Sequence, residues 1–255
     1  MSSYLGKYAE YYDTIYKEKP YAQEAAFVAE CFQRYGQGET ERLLELACGT
    51  GRHAFELEAL GYSLLATDYS EDLLAVARRK AKDRGSAVEF QYADMRDLDL
   101  DAAPFDAAIC LFDAIGYVQT DAAIAKVLAG VRRHLRPDGL FVFEFWHAPA
   151  MRAHYEPLRV RRWPLTDGEL LRISSTRLLE EGDLAEVRYD IYELREDHTY
   201  ASLSETQVNR FFTVPQMQAL LDAADFKALD WRNKYTWDQA IDDDTWHVLA
   251  IARPA

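Results

Sequence analysis

The chain contains little cysteine, and the few cysteines stand far apart. Only three of its 255 residues are cysteines, an odd number without the close spacing of metal ligands. We therefore predict neither a disulfide framework nor a cysteine metal site. This usage favours a reducing compartment, and the cytoplasm is the expected location.

Positive charge is also scarce. The chain has 29 Lys and Arg against 43 Asp and Glu, which gives a formal net charge of −14 at pH 7. Because affinity for nucleic acids comes largely from Lys and Arg that neutralise phosphates, we expect no nucleic-acid partner. The acidity is typical of a well-solvated protein, and attraction of a cationic substrate is the alternative interpretation.

Long apolar runs are missing as well. No run approaches the roughly 20 apolar residues of a membrane span, and the first seven residues lack the apolar core of a signal peptide. We expect a soluble protein without a membrane partner. The length and the 49% apolar content suit one domain over residues 1–255, and no internal repeat or low-complexity linker divides it.

A glycine pair marks the stretch around which the chain is organised. An apolar run at 43–47 predicts a buried strand, Gly49 and Gly51 predict a tight turn, and residues 52–60 predict a helix. Glycine lets the backbone turn through positive φ and approach a ligand closely. The free N–H groups of the following helix face the same crevice. The pattern is typical of a strand–loop–helix nucleotide site.

The same glycines also satisfy the loose dinucleotide fingerprint, so alone they do not separate a nicotinamide enzyme from a methyltransferase. Three carboxylates at strand ends favour the second. Glu45 lies inside the first strand, where it suits a cationic amine better than a pyrophosphate. Asp68 ends the next apolar run and can accept hydrogen bonds from ribose hydroxyls, and Asp94 follows a third run.

Together, Glu45-Leu-Ala-Cys-Gly-Thr-Gly51, Asp68 and Ala93-Asp94-Met95 resemble the successive motifs of class I S-adenosylmethionine-dependent methyltransferases, over about residues 40–146. The resemblance implies an enzyme with S-adenosyl-L-methionine as cofactor. It implies that Glu45 holds the methionine end, Asp68 the ribose, and Asp94 and Met95 the adenine. The implied cofactor-binding residues are Glu45, Ala47, Gly49, Gly51, Asp68, Tyr69, Asp94, Met95 and Phe112.

Alternation of strands and helices predicts an α/β fold. Strands are predicted at 43–47, 63–67, 88–92, 106–112, 139–146, 226–232 and 246–252, and helices at 52–60, 71–84, 121–135 and 215–224. Such alternation implies right-handed crossovers. We predict a doubly wound seven-strand mostly parallel sheet of the Rossmann-like methyltransferase type. Ser70 and Thr213 are predicted N-caps, and Pro137-Asp-Gly139 is a predicted turn before the fifth strand.

Residues 151–212 change character. Runs at 170–179, 184–194 and 199–212 predict an antiparallel β-meander inserted after the fifth strand. We expect the insertion to lie near the active-site mouth and contribute to acceptor specificity. A homodimer interface is the alternative, and both roles are compatible.

Residues 1–38 precede the first strand and are rich in tyrosine ahead of a helical stretch at 22–35. In methyltransferases of this class such a segment folds over the cofactor, so we interpret it as an N-terminal helical lid. The tyrosines of such a segment can equally pack the helix against the sheet.

A narrower resemblance concerns the methyl acceptor. The segments Lys7–Tyr16, Cys48–Gly51, Asp94–Asp97 and Ile115–Tyr117 resemble deoxyamino-sugar N,N-dimethyltransferases. This implies N-methylation of a small-molecule amine, such as a nucleotide-linked amino sugar, in natural-product biosynthesis. The implied substrate-binding residues are Tyr12, Tyr16 and Tyr117, and Trp146 at the end of the fifth strand is expected to add an aromatic wall. The chain departs from the family at Phe145, where the family has the proline of a Glu-Pro-Trp strand end.

Methyl transfer from a sulfonium needs orientation more than acid–base groups. An alkylamine with a pKa near that of Lys is mostly charged at neutral pH, so it needs desolvation or a base. The candidate catalytic residues are Tyr117, Glu144 and His147, and His147 has the alternative of an ordinary loop histidine. No Ser-His-Asp triad or metal-ligand spacing is apparent, so we expect no metal.

Three alternatives stay open at this point. A small-molecule O-methyltransferase would share the cofactor site and differ only in its acceptor. A nicotinamide-dependent oxidoreductase would share the glycines but would need no acidic residue at position 45. A catalytically silent cofactor-binding protein would bind the cofactor without releasing a homocysteine product.

Overall fold

A computed structural model describes residues 6–102 and 104–255 of the chain, with eleven strands in the described part. The strands are β1 (Arg42–Leu46), β2 (Ser63–Asp68), β3 (Glu89–Tyr92), β4 (Phe105–Cys110), β5 (Leu135–Trp146), β6 (Leu158–Leu165), β7 (Gly168–Leu178), β8 (Leu184–Arg195), β9 (Tyr200–Arg210), β10 (Phe226–Asn233) and β11 (His247–Pro254). They form two sheets, one of seven strands and one of four.

The seven-strand sheet has the order β10-β11-β5-β4-β1-β2-β3. Strands β3, β2, β1, β4 and β5 run parallel, whereas β11 is antiparallel to both β5 and β10. The chain starts in the middle of the sheet and winds outward in both directions. This confirms the predicted doubly wound, mostly parallel fold and places the carboxyl ends of β1, β2 and β4 side by side.

Seven α-helices accompany the strands in the described residues. They are α1 (Lys7–Ile15), α2 (Tyr21–Tyr35), α3 (Arg52–Ala59), α4 (Glu71–Arg84), α5 (Asp121–His134), α6 (Ala148–His154) and α7 (Val214–Ala223). The predicted caps are confirmed, because the side chains of Ser70 and Thr213 accept hydrogen bonds from the first turns of α4 and α7. None of these helices is long and apolar enough to cross a membrane. Residues 1–5 of the predicted lid lie outside the described residues.

Both faces of the large sheet are covered by helices. The side chains of β5 alternate, so that Phe141, Phe143 and Phe145 join one buried cluster and Val142 joins the other. Helices α5 and α7 contribute to the first cluster, and α2, α3 and α4 contribute to the second. The core is therefore one sheet between two helical layers.

Two boundaries in the centre of the sheet differ from the prediction. The strand β5 begins at Leu135, directly after α5, and not at residue 139. Its pairing with β4 is interrupted only after Leu135, so the predicted Pro137–Gly139 turn lies inside the strand as an irregularity. The strand β4 ends at Cys110, two residues early, because Phe112 and Asp113 have φ values of 57° and 56° and leave the sheet.

The inserted meander contains one strand more than predicted. The three predicted runs form β7, β8 and β9, and β6 precedes them at the edge of an antiparallel sheet of order β6-β7-β8-β9. The sequence of β6, Leu-Arg-Val-Arg-Arg-Trp-Pro-Leu, combines charge with proline. Such residues are typical of edge strands and weaken the strand signal in the sequence.

The strand β9 of the four-strand sheet packs on the segment that follows β4. In this contact, Gln119 Nε2 donates to the carbonyl of Val208 at 3.0 Å. At Gly116 the two backbones are so close that a Cβ would lie 1.8 Å from Asn209 Oδ1 and 2.5 Å from the carbonyl oxygen of Arg210. Only glycine fits this contact.

We therefore expect Gly116→Ala to destabilise the protein. Overpacking of this kind costs about 1–3 kcal/mol, which lowers the Tm of a chain of this size by roughly 2–12 °C. Gly38→Ala is the matched control, because a Cβ at that position meets nothing within 4 Å. Thermal unfolding of both variants tests the prediction, and equal melting temperatures would contradict the contact.

Candidate active site

A crevice lies at the carboxyl ends of β1, β2 and β4, with a volume of about 70 Å³. It joins a second space of about 310 Å³ through four shared lining residues, Ala47, Tyr69, Met95 and Tyr117. The predicted cofactor residues that line these two spaces are Glu45, Ala47, Gly49, Asp68, Tyr69, Asp94, Met95 and Phe112. Only Gly51 of the predicted set is not among the lining residues.

The turn after β1 explains the two glycines. Ala47, Gly49 and Gly51 all have positive φ, of 53°, 58° and 76°. A Cβ on Gly51 would lie 2.6 Å from the ring of Phe90, so this glycine allows the turn to pack on β3. Gly49 instead faces the crevice, where a Cβ would lie 3.8 Å from the Tyr12 ring. Gly51 therefore has a structural role, whereas Gly49 borders the crevice.

Asp68 ties this turn to β2. Its Oδ2 accepts a hydrogen bond from the Gly49 N–H at 2.8 Å, and its Oδ1 accepts one from the Ser70 N–H at 2.8 Å. Burial raises the pKa of Asp68 to about 6, although the backbone N–H groups act in the opposite direction. Each oxygen keeps a further lone pair for a ligand hydroxyl. Asp68 therefore shapes the crevice as well as lining it.

Glu45 is the other buried carboxylate of the crevice. Its Oε2 has no hydrogen-bond partner, although the side chain is buried. Burial and the nearby Asp68 raise the pKa of Glu45 to about 8. Since buried polar atoms are normally hydrogen-bonded, this orphaned oxygen fits a cationic donor. The residues present thus fit a ligand that carries an ammonium group close to a ribose.

The second space lies beyond β3. Asp94 forms an ion pair with Arg96, and the hydrogen bond from that guanidinium lowers the pKa of Asp94. Residues Thr206–Val208 of β9 line the opposite wall, so the inserted sheet borders the same space. This wall was not predicted residue by residue, because only the packing of β9 brings it here.

The predicted acceptor residues divide between two places. Tyr12 and Tyr117 line the crevice. Tyr16 links them to the loop after β4, since its ring lies 4.7 Å from the Tyr12 ring and 5.0 Å from the Phe112 ring. Trp146 lines a separate cavity under the four-strand sheet. The structure thus brings three of the four together and places the fourth nearby.

Glu144 and His147 are not among the lining residues of these described cavities. Glu144 is buried behind Phe112 and accepts a hydrogen bond from its backbone N–H. Burial and the neighbouring Asp113 raise the pKa of Glu144. His147 Nδ1 lies 3.2 Å from the Thr245 carbonyl oxygen. This contact fits an ordinary loop histidine, which was the alternative to a catalytic role. Of the three candidate catalytic residues, only Tyr117 faces the crevice.

A charged pair supports the same loop. His247 Nδ1 lies 2.9 Å from Asp113 Oδ2, and ligand-type atoms of Asp113, Glu144 and His247 all lie within 4.8 Å of one another. Although burial disfavours the charged ring, Asp113 raises the pKa of His247 to about 9. The ring nitrogen near the carboxylates is already engaged by Asp113. The group is therefore an ion pair with a second carboxylate beside it.

Sequence reasoning missed a second buried pair beside the crevice. Glu24 Oε2 lies 2.7 Å from His53 Nε2, and His53 lines the crevice. Lys19 binds the same carboxylate and lies 4.8 Å from the centre of the Phe112 ring. The signal in the sequence is Glu24, a charged residue within the apolar face of α2. Its partners come from other parts of the chain, so the pair is visible only in the fold.

Comparison with known proteins identifies the family of this chain. The sequence profile of a methyltransferase domain matches residues 43–139. A dTDP-3-amino-3,6-dideoxy-α-D-glucopyranose N,N-dimethyltransferase of Streptomyces fradiae is 30% identical over 223 residues, which cover 83% of this chain and 84% of that relative. This similarity excludes the nicotinamide alternative.

Two solved structures share the fold. An S-adenosylmethionine-dependent methyltransferase from Clostridium acetobutylicum superposes with a TM-score of 0.83 at 19% identity, covering 97% of each chain. DesVI of Streptomyces venezuelae superposes with a TM-score of 0.80 at 23% identity, covering 99% of this chain and 100% of DesVI. The chain belongs to the class I S-adenosylmethionine-dependent methyltransferases and is related to the deoxyamino-sugar N,N-dimethyltransferases within that family.

Proposed function

We propose that this enzyme methylates the amino group of a nucleotide-linked amino sugar. The observation that carries the proposal is the similarity to the Streptomyces fradiae N,N-dimethyltransferase, which spans 223 residues. It therefore extends well beyond the methyltransferase domain at 43–139. Cofactor binding alone would not require similarity outside that domain.

The crevice residues have separate roles in binding the cofactor. S-adenosylmethionine, when bound, supplies an electrophilic methyl group on a positively charged sulfur. Glu45 binds the ammonium of the methionine end, because its orphaned oxygen lacks any other donor. Asp68 accepts from the ribose hydroxyls, and Asp94 and Met95 border the adenine in the adjoining space.

Exchange of Glu45 for Gln should change the proton balance of cofactor binding. At pH 7 the raised pKa of about 8 keeps Glu45 mainly protonated in the free protein. An α-ammonium is still mostly charged at pH 7 and stabilises the carboxylate, so binding releases a proton. Glu45→Gln should abolish this release and weaken binding roughly 10- to 100-fold, which corresponds to a lost charged hydrogen bond.

Titration calorimetry in two buffers of different ionisation enthalpy measures the released protons. Glu39→Gln is the matched control, since Glu39 is exposed in the segment before β1. It should release the same number of protons as the unchanged protein. An undiminished proton release in Glu45→Gln would exclude Glu45 as the ammonium ligand.

Aromatic rings make the acceptor side of the crevice dry. Tyr12 is buried over the Gly49 turn, and the rings of Tyr16 and Phe112 continue the wall. Desolvation disfavours the charged form of an amine, which leaves its lone pair free for the methyl carbon. A bound cofactor would supply the methyl group, and these rings would hold the neutral amine against it with water excluded. Orientation supplies most of the rate enhancement.

Tyr117 orients the amine as a hydrogen-bond acceptor. The Gln207 amide donates through Nε2 to Glu205 Oε1 at 2.6 Å, which turns its carbonyl oxygen toward Tyr117. The Tyr117 hydroxyl donates to that oxygen at 2.8 Å. The hydroxyl proton is thereby engaged, so toward an amine N–H in the crevice the Tyr117 oxygen acts as an acceptor. This is an orienting role and not that of a base.

Tyr117→Phe should therefore lower kcat/KM only several-fold, because a general base would contribute about 10²–10⁴-fold. The shape of the pH profile should stay unchanged. Tyr92→Phe, at an exposed position on β3, is the control and should have no effect. A loss of 100-fold or more, on the scale of a general base, would show that Tyr117 acts as the base.

The N-terminal segment acts as a lid in this proposal. The carboxylate of Asp13 at the end of α1 accepts from Thr50 Oγ1 and Lys80 Nζ, both at 2.7 Å. These contacts hold Tyr12 above the turn after β1. The four-strand sheet completes the opposite wall through Gln207 and its neighbours, which supports a contribution of residues 151–212 to acceptor specificity.

A panel of acceptors tests the function. Nucleotide-linked amino sugars should be methylated at nitrogen, as mass spectrometry of the products shows. For such substrates kcat/KM should rise with pH until the pKa of the amine is passed. If only hydroxylated analogues are methylated, the enzyme is an O-methyltransferase and the amine proposal fails.

A further inference from the structure

A third cavity lies between the four-strand sheet and the end of β5. Its volume is about 140 Å³. Its lining includes Glu156, Arg159, Arg172, Ser174, Thr176 and Tyr189. Two arginines and three hydroxyl-bearing residues of the sheet therefore meet in one place. The cofactor site does not use any of them.

The strand register places these arginines on one face of the sheet. Arg172 and Ser174 are two residues apart on β7, so their side chains lie on the same face. On β6, Arg161 is paired with Arg172 and Arg159 with Ser174. Cross-strand partners share a face, and like charges directly opposite one another are destabilising. Arg159 and Arg172 therefore lie on the cavity side of the sheet, and the exposed Arg161 is directly opposite Arg172.

Arg172 carries a buried charge without a counter-ion. Only 7% of its surface is exposed, and among the described residues no carboxylate pairs with it. Its Nη1 lies 3.4 Å from the Tyr16 hydroxyl, and its Nε has no hydrogen-bond partner. The Ser174 hydroxyl is also buried without a partner. The one acidic residue in the lining, Glu156, pairs with Arg159.

An unpaired buried cation is costly, so its presence calls for a binding partner. Three aromatic rings surround the guanidinium, with centres 5.7, 5.3 and 5.1 Å away for Tyr16, Trp163 and Tyr189. Such contacts stabilise a cation without engaging its N–H donors, and the Nε N–H has no other partner. A planar guanidinium with free N–H groups is the preferred ligand of phosphate oxygens.

We propose that this cavity binds the diphosphate of the nucleotide-linked acceptor, through Arg172 and Ser174. The inference rests on the proposed function and names the anionic part of its substrate. Tyr16 joins the two sites, because its hydroxyl contacts Arg172 and its ring contacts Tyr12 and Phe112 at the crevice. An acceptor with its amine at the crevice would therefore place its phosphates next to Arg172.

Binding of thymidine diphosphate and of inorganic pyrophosphate tests the site. The protein is saturated with S-adenosylhomocysteine, and each probe is titrated by calorimetry. Arg172→Gln should weaken thymidine diphosphate binding roughly 10- to 100-fold, and Arg172→Lys should show an intermediate loss because it keeps the charge without the planar fork. Affinity for S-adenosylhomocysteine should stay unchanged in both variants.

Arg177→Gln is the matched control. Arg177 lies on β7 at an odd-numbered position, whereas the cavity-lining residues of that strand have even numbers. Its side chain therefore lies on the opposite face of the sheet and pairs with Glu186. This variant should bind thymidine diphosphate as the unchanged protein does. In kinetics, Arg172→Gln should raise the KM of a nucleotide-linked acceptor and leave the KM of S-adenosylmethionine unchanged.

Several results would overturn the assignment. Absence of thymidine diphosphate binding, or equal binding by Arg172→Gln, would overturn the proposal. The guanidinium would then serve only to pack against its three neighbouring aromatic rings. Pyrophosphate binding as tight as that of thymidine diphosphate, without any effect of Arg172→Gln on the acceptor KM, would identify a free-phosphate site instead. If Arg172→Gln does not fold, equal binding by Arg172→Lys and the unchanged protein overturns the planar-fork contact.

The failure of this inference is distinct from failure of the proposed function. Thymidine diphosphate binding that depends on Arg172, together with no methylation of any amine, would overturn the amine acceptor and retain the anion site. Methylation of amino sugars with the same KM in Arg172→Gln and the unchanged protein would retain the amine acceptor and overturn the anion site.

Discussion

The site depends on the two hydrogen bonds that Asp68 accepts from the backbone N–H groups of Gly49 and Ser70. They join the turn after β1 to the end of β2 and leave the carboxylate facing the crevice. The same turn carries positive φ at Ala47, Gly49 and Gly51. The two glycines adopt this conformation freely, whereas Ala47 keeps it only because the surrounding structure supports the backbone. Beside it, Glu45 stays buried with an unused oxygen, so the crevice combines a rigid backbone with a carboxylate that lacks a donor.

A second constraint acts at the end of β4. Phe112 and Asp113 both have positive φ without being glycine, which costs about 1–3 kcal/mol each. Glu144 binds the Phe112 N–H, and His247 pairs with Asp113, so both strained residues are held from β5 and β11. The bend directs the following segment toward β9, where Tyr117 meets Gln207. Glu144, a candidate base in the sequence, therefore supports the loop that carries Tyr117.

The local part of this design was predictable. Hydrophobic alternation gave the order of strands and helices, and the spacing of Glu45, Asp68 and Asp94 placed three carboxylates at adjacent strand ends. The errors lie where tertiary contacts override local pattern. The strand β5 begins before Pro137 because Leu135 still pairs with β4. The strand β6 was not predicted, because an edge strand tolerates charge and proline, which weaken the strand pattern in the sequence.

The sequence by itself determined the fold class and the cofactor edge, because both follow from periodicity and from motifs whose members are close in the chain. Only the tertiary structure decided which acceptor candidates share a cavity. Tyr12 and Tyr117 line the crevice, and Tyr16 packs against the Tyr12 ring. His147 contacts Thr245 instead, and Arg172 is enclosed by rings from three other segments. The physical reason is that burial and unpaired charge are properties of a packed environment, which residues far apart in sequence create together.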